Sequence, residues 1–304
     1  MAFLCLLAYL LVALPCANAA GWIYSVDGEP EWGYGGGSGS PFNWVTTFPD
    51  FCSGQRQSPI NIDTETAKEV SFNFLNLQGF CSQDRPRHAS LRVENNGHSV
   101  ELHIHGDFFI NEGGLPGKQY KVEQLHYHWG NPNAKGSEHA INGRKFDAEM
   151  HFVTYDTNYT SITEAKNHVD GVAVFAAMLQ VGVNPHFEGS TLDEFISGLP
   201  SLGHKGDSYT LPKSQLKDLR GFLPDNIDWF YRYRGSFTTP HCDEHVIWSV
   251  WEQPIVIPQS KMNIFYNLYA NNATDATQVR LMDNYRPLQE VNGRAILHSH
   301  RNNW

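Results

Sequence analysis

Residues 120–130 read YKVEQLHYHWG, a short run rich in Val, Tyr and Trp, which is the composition of a β-strand. Side chains alternate with period two along a strand, so Gln124, His126 and His128 share one face while Tyr127 and Trp129 point to the other, packed one. Two imidazoles on one face are costly to bury unless something uses them. The pattern therefore predicts either a metal grip or the polar edge of an ordinary sheet.

Similar short runs recur between turn signals: SLRVEN (90–95), SVELHIHG (99–106), DAEMHFVTY (147–155), GVAVFAAMLQVG (171–182) and HVIWSVWEQPIVI (245–257). Sustained 3.6-residue periodicity is confined to SITEAKNHV (161–169), TLDEFISGL (191–199) and QSKMNIFYNLY (259–269), the expected helices. Neither an internal repeat nor a clear linker interrupts residues 58–290. One large, sheet-dominated domain with a few peripheral helices is expected.

The 304 residues are 41% hydrophobic and 18% charged, a globular rather than a disordered composition. A net charge of −10 without a Lys/Arg cluster argues against nucleic acid as a partner. The opening MAFLCLLAYLLVALPCANAA is an apolar run ending in Ala17 and Ala19, which predicts a secretory signal over residues 1–19 and a mature domain over 20–304. The run is short for a membrane span, and the polar C-terminus carries no lipid-anchor signal. A secreted protein keeps Cys52, Cys81 and Cys242, an odd number that predicts one disulfide and one cysteine left over. Asn158 (NYT) and Asn272 (NAT) are glycosylation candidates on that route. The segment GYGGGSGSPF (33–42) fits no phosphate-binding pattern and is read as a flexible surface loop.

A catalytic zinc site needs three protein ligands and one open position. His151, on a strand able to pair with the opening run, completes a set with His126 and His128. His103 and His105 form a rival pair without so well placed a third histidine. Gln124 and Glu149 lie two residues before His126 and His151, on the same strand faces, where each can accept the ligand's other ring N–H. The H-E-x-x-H metalloprotease signature and the G-x-S-x-G nucleophile elbow are both missing from the sequence, and its cysteines are too scattered for a structural zinc site.

With these residues in place, the chain resembles the α-class carbonic anhydrases. The matching stretches are QRQSPINI (55–62), NNGH (95–98), QLHYHWG (124–130), GSEHAING (136–143), DAEMHFV (147–153), GVAVFAAMLQVG (171–182), GSFTTPHC (235–242) and MDNYRP (282–287), in family order. The resemblance implies a mainly β (α+β) single domain on a large, twisted, mostly antiparallel sheet of about ten strands. It implies reversible hydration of CO2 to bicarbonate and a proton, by zinc-hydroxide attack, with Zn2+ held by His126, His128 and His151. Thr238 would orient the hydroxide and pass its own proton to Glu138. Gln124, Glu149 and the backbone carbonyl of Asn284 would support the three ligands, and His98 would shuttle the proton. Val153, Val174, Phe237, Thr239, Val246 and Trp248 would line the CO2 pocket. Cys52 and Cys242 would form the disulfide of the secreted members.

Several residues depart from that family pattern. Phe237 stands where leucine is usual, and its ring should narrow the pocket and hold activity below the family's best. His241 replaces a common proline after T-T-P and puts a cis bond there in doubt, while Ser58–Pro59 remains a cis candidate. Glu101 stands where an amide is frequent. A binding module that has lost catalysis, or a matrix protein supplying bicarbonate locally, are the alternatives from other classes. The full set of ligands argues against the first. The sequence leaves monomer and homodimer open.

Overall fold

Thirteen strands of this computed structural model, which describes residues 30–116 and 119–299, join in one sheet. The expected signal segment lies outside the described residues. The main path across the sheet runs Ser208–Pro212, Ser90–Asn95, Val100–His105, Tyr120–Trp129, Ala148–Asp156, Val172–Val181, Val246–Trp251, Phe230–Gly235, Leu297–Ser299 and Lys68–Val70. Along it, only Val172–Val181 with Val246–Trp251 and Leu297–Ser299 with Lys68–Val70 run parallel. The other neighbours are antiparallel, as expected. The three expected helices form at Ile162–Ala165, Thr191–Gly198 and Gln259–Phe265. Ser161 and Ser190 cap the first two, accepting hydrogen bonds from the amides of Glu164 and Asp193.

The sheet has apolar packing on both faces. Leu125, Tyr127, Trp129, Met150, Phe152 and Trp251 belong to a large core, and Val153, Val174, Val246 and Trp248 to a second one. Tyr120 and Val122 lie in the large core with Leu125, Tyr127 and Trp129, although simple alternation would put them on the face of Gln124, His126 and His128. A β-bulge between Val122 and Gln124 accounts for the difference, because one extra residue inverts the face of everything after it. The bulge lets one strand bury aromatics along its whole length and still present both histidines to the opposite side.

The segment read as a flexible loop is partly built into the molecule. Trp32 and Tyr34 pack on Trp44, Phe48 and the Cys52–Cys242 disulfide, and the Trp44 indole donates to the Gly39 carbonyl. The disulfide links cysteines 190 residues apart, a closure worth up to ~5 kcal/mol through the chain entropy it removes from the unfolded state. Cys81 is free and exposed. Both Ser58–Pro59 and Pro240–His241 are cis, so the histidine after Pro240 does not abolish the second cis bond.

Candidate metal centre and its cavity

His126 and His151 face each other directly in the register of neighbouring antiparallel strands, and His128 lies two residues along the same face. Their ring nitrogens converge: His126 Nε2 is 3.0 Å from His128 Nε2 and 3.3 Å from His151 Nδ1. On the far side of each ring, the remaining nitrogen meets an acceptor. His126 Nδ1 donates to Gln124 Oε1 at 2.8 Å, His128 Nδ1 to the Asn284 carbonyl at 2.7 Å, and His151 Nε2 to Glu149 Oε1 at 2.7 Å. Each outer hydrogen bond consumes the single N–H of a neutral imidazole, so three lone pairs point at one another.

Such a cluster repels itself unless a cation sits among the lone pairs. A tetrahedral zinc with metal–nitrogen bonds of about 2.0–2.1 Å holds its ligands about 3.3 Å apart, which matches the separations here. Burial, reinforced by the neighbouring imidazoles, holds the His126 pKa well below the usual range; burial also lowers that of His128. Both shifts favour the neutral form that binds metal. Burial alone would raise the Glu149 carboxyl, but the charge and hydrogen bonds of His139 and His151 outweigh it and keep Glu149 ionised. His139, overlooked in the sequence, continues this network: its Nδ1 meets Glu149 Oε1 at 2.7 Å and its Nε2 the Tyr233 hydroxyl at 2.6 Å. The rival pair is not gathered, since His103 instead bonds Glu94 at 2.9 Å.

The cavity over the three histidines, about 250 Å3 in volume, is lined by Val153, Val174, Phe237 and Trp248, which share one apolar cluster, and by the polar His98, Asn96 and Glu101. Thr238 and Thr239 also line it. Val246 is buried behind this wall in the second core and does not reach the cavity. Gln124 lines it as well, and sequence reasoning missed Trp32, Tyr34, Ser99 and Ile162, which complete the lining. Trp32 stacks on the His98 ring at 4.3 Å, and burial, then the Lys205 charge, lowers the pKa of His98. Burial and the Glu138 charge keep the Tyr34 phenol protonated. Two aromatics standing just before a glycine run were the trace that Trp32 and Tyr34 left in the sequence.

The strand Phe230–Gly235 delivers the threonine loop. Gly235 passes so close to Ser58 that a Cβ there would lie 2.1 Å from the serine Oγ. The Trp248 indole donates to the Ser236 carbonyl and the Phe237 amide to the Asp243 carbonyl, which anchors the two residues leading into Thr238. Glu138 Oε1 accepts the Arg286 amide at 2.7 Å. The hydrogen bond expected from Thr238 to Glu138 is not formed: Glu138 Oε2 is buried without a partner and lies 3.5 Å from His128 Nε2. A fully buried carboxylate oxygen without a donor is costly, so this atom marks where the site demands one.

A family model described as eukaryotic-type carbonic anhydrase matches residues 39–300. Carbonic anhydrase 4 of Mus musculus is 36% identical, covering 98% of this chain and 90% of the relative. Carbonic anhydrase 12 of Homo sapiens is 33% identical, covering 88% and 72%, and carbonic anhydrase 6 of Bos taurus 31%, covering 90% and 82%.

Proposed function

The chain belongs to the eukaryotic-type carbonic anhydrase family and is an enzyme of that kind, and on that premise we propose that it hydrates CO2 reversibly at a zinc ion held by His126, His128 and His151. The observation that carries this is the convergence of three imidazole lone pairs, each set by an acceptor on the ring's other side. When bound, zinc lowers the pKa of water to about 7, a value for which carbonic anhydrase is itself the standard example. Gln124, Glu149 and Asn284 hold the rings in the tautomer that binds the metal. The apolar wall of Val153, Val174, Phe237 and Trp248 offers CO2 no competing hydrogen bond, and the Phe237 ring narrows the space beside Thr238. In the reacting site Thr238 would accept a hydrogen bond from the attacking oxygen and turn its own proton to the unpartnered Glu138 Oε2, which would aim the oxygen's remaining lone pair at CO2. Stopped-flow CO2 hydration before and after zinc chelation tests the assignment. Activity should vanish with the metal and return on adding zinc; a rate indifferent to chelation would refute it.

Each turnover releases a proton, and His98 is proposed to carry it from the cavity to solvent. Its depressed pKa makes it quick to hand the proton on, and keeps it neutral and able to accept over the whole range above that pKa. As pH falls through the folded pKa, the imidazolium accumulates and the relay stalls. With buffer scarce, His98→Ala should slow turnover by about tenfold or more, and added imidazole buffer should restore it. A rate that stays undiminished at low buffer rules the role out.

The disulfide, the exposed sequons at Asn158 and Asn272 and the leader-like first residues support passage through a secretory route to an extracellular site. Among the described residues, no helix is long and apolar enough to cross a membrane.

A further inference from the structure

Arg232 and Arg234 alternate with Tyr231 and Tyr233 along the Phe230–Gly235 strand, and together with Tyr233 they line a second cavity of about 380 Å3. Arg56 and Arg294 line it too, against an apolar surface that includes Phe72 and Leu297. None of its lining residues borders the histidine cavity. Four guanidinium groups around one hollow are unexpected in a chain of net charge −10.

Two of the four are neutralised. Arg234 pairs with Asp170, its Nη2 at 2.9 Å, and Arg56 lies 3.5 Å from Glu244. Among the described residues, Arg294 donates only to backbone carbonyls, those of Val291, Arg234, Gln57 and Glu290. Arg232 is 6% exposed and makes no ion pair among the described residues. Its Nε donates to Ser249 Oγ and its Nη2 to the Gly113 carbonyl, and it lies over the rings of Phe230 and Phe72, at 4.8 and 5.6 Å. Nη1 has no hydrogen-bond partner among the described residues. Burial lowers the Arg232 pKa only to about 10, so the group stays charged at neutral pH. A buried cation that neither pairs nor deprotonates is destabilising, and a ligand anion would offset that cost. The planar guanidinium fork matches a carboxylate in particular.

We propose that this cavity binds a small organic carboxylate, its anionic end against Arg232 and Arg294 and its apolar body against Phe72 and Leu297. The volume falls in the range of small-molecule sites, and the combination of an apolar wall with a few convergent polar groups is what such sites share. Calorimetric titration of the zinc-loaded full-length protein with benzoate, and with neutral benzamide as its isostere, tests the assignment. Benzoate should bind saturably and benzamide at least tenfold more weakly. Arg232→Met should weaken benzoate at least tenfold while leaving CO2 hydration without benzoate within twofold, whereas Arg56→Gln, which removes a charge that Glu244 already neutralises, should change benzoate binding less than Arg232→Met does. His151→Ala should leave the Arg232-dependent binding in place. Equal binding of benzoate and benzamide, no saturable heat at millimolar benzoate, or binding lost in His151→Ala but retained in Arg232→Met would each overturn the site. If Arg232→Met does not fold, Arg294→Gln, which should weaken benzoate severalfold, and the benzamide comparison still decide.

Discussion

Replacing His151 with alanine should leave a protein that holds zinc at least about a hundredfold more weakly and hydrates CO2 no faster than solution. Three protein ligands are the minimum of a catalytic zinc site, and losing even a residue that merely supports a ligand costs 10–100-fold. His151 is 1% exposed, so the truncation also opens a small hollow, yet Glu149 keeps His139 as a partner and is not stranded. The variant should therefore remain folded, and metal content by elemental analysis, read beside the hydration rate, isolates the lost ligand. His105→Ala is the control, because this half of the rival pair is exposed and lies outside the cavity lining, and its loss should change neither quantity. A His151→Ala protein with stoichiometric zinc and an intact rate would sink the metal assignment. Acid should imitate the mutation. Binding requires neutral imidazoles, and the depressed pKa values of His126 and His128 push proton competition to lower pH than for free imidazole. Zinc should thus still be held at about pH 6.5, where free imidazole is half protonated, and be lost only on further acidification.

How much of this was readable beforehand varies from residue to residue. The strand character of 120–130 and the shared face of Gln124, His126 and His128 follow from composition and period two, and the structure keeps both. The same rule fails a few residues earlier, at Tyr120 and Val122, because a bulge depends on the register of the partner strand and leaves no mark in a local pattern. His151 was reachable because its strand pairs directly with the first. His139 was not: its role depends on Glu149 and on Tyr233, 94 residues away, meeting it inside the core. Trp32 and Tyr34 were hidden for another reason. Glycine-rich composition speaks for a loop, and it says nothing about whether aromatics on that loop fold back over a cavity. Pairing Cys52 with Cys242 needed the family resemblance, since three cysteines alone permit three pairings.

Thr238→Ala should lower kcat/KM by about 10²–10³-fold with zinc content unchanged, the cost typical of deleting one positioned hydrogen-bonding group at a reacting oxygen. The more telling variant is Glu138→Gln. The amide can still accept the Arg286 N–H through its oxygen, so the fold around residue 286 should survive. Where Glu138 Oε2 now lies buried and without a donor, glutamine would place an NH2 group. That reverses the hydrogen bond. The threonine hydroxyl would accept from residue 138 and turn its own proton toward the attacking oxygen, engaging the lone pair that must reach CO2. Glu138→Gln should consequently cost about as much as Thr238→Ala, although it removes no atom from the cavity wall. The two losses should not add, because either change alone breaks the same directed chain. A double variant no slower than the worse single one, measured by stopped-flow at saturating zinc, is the expected result. Full additivity would mean that Glu138 acts on His128, 3.5 Å from its carboxylate, rather than through Thr238.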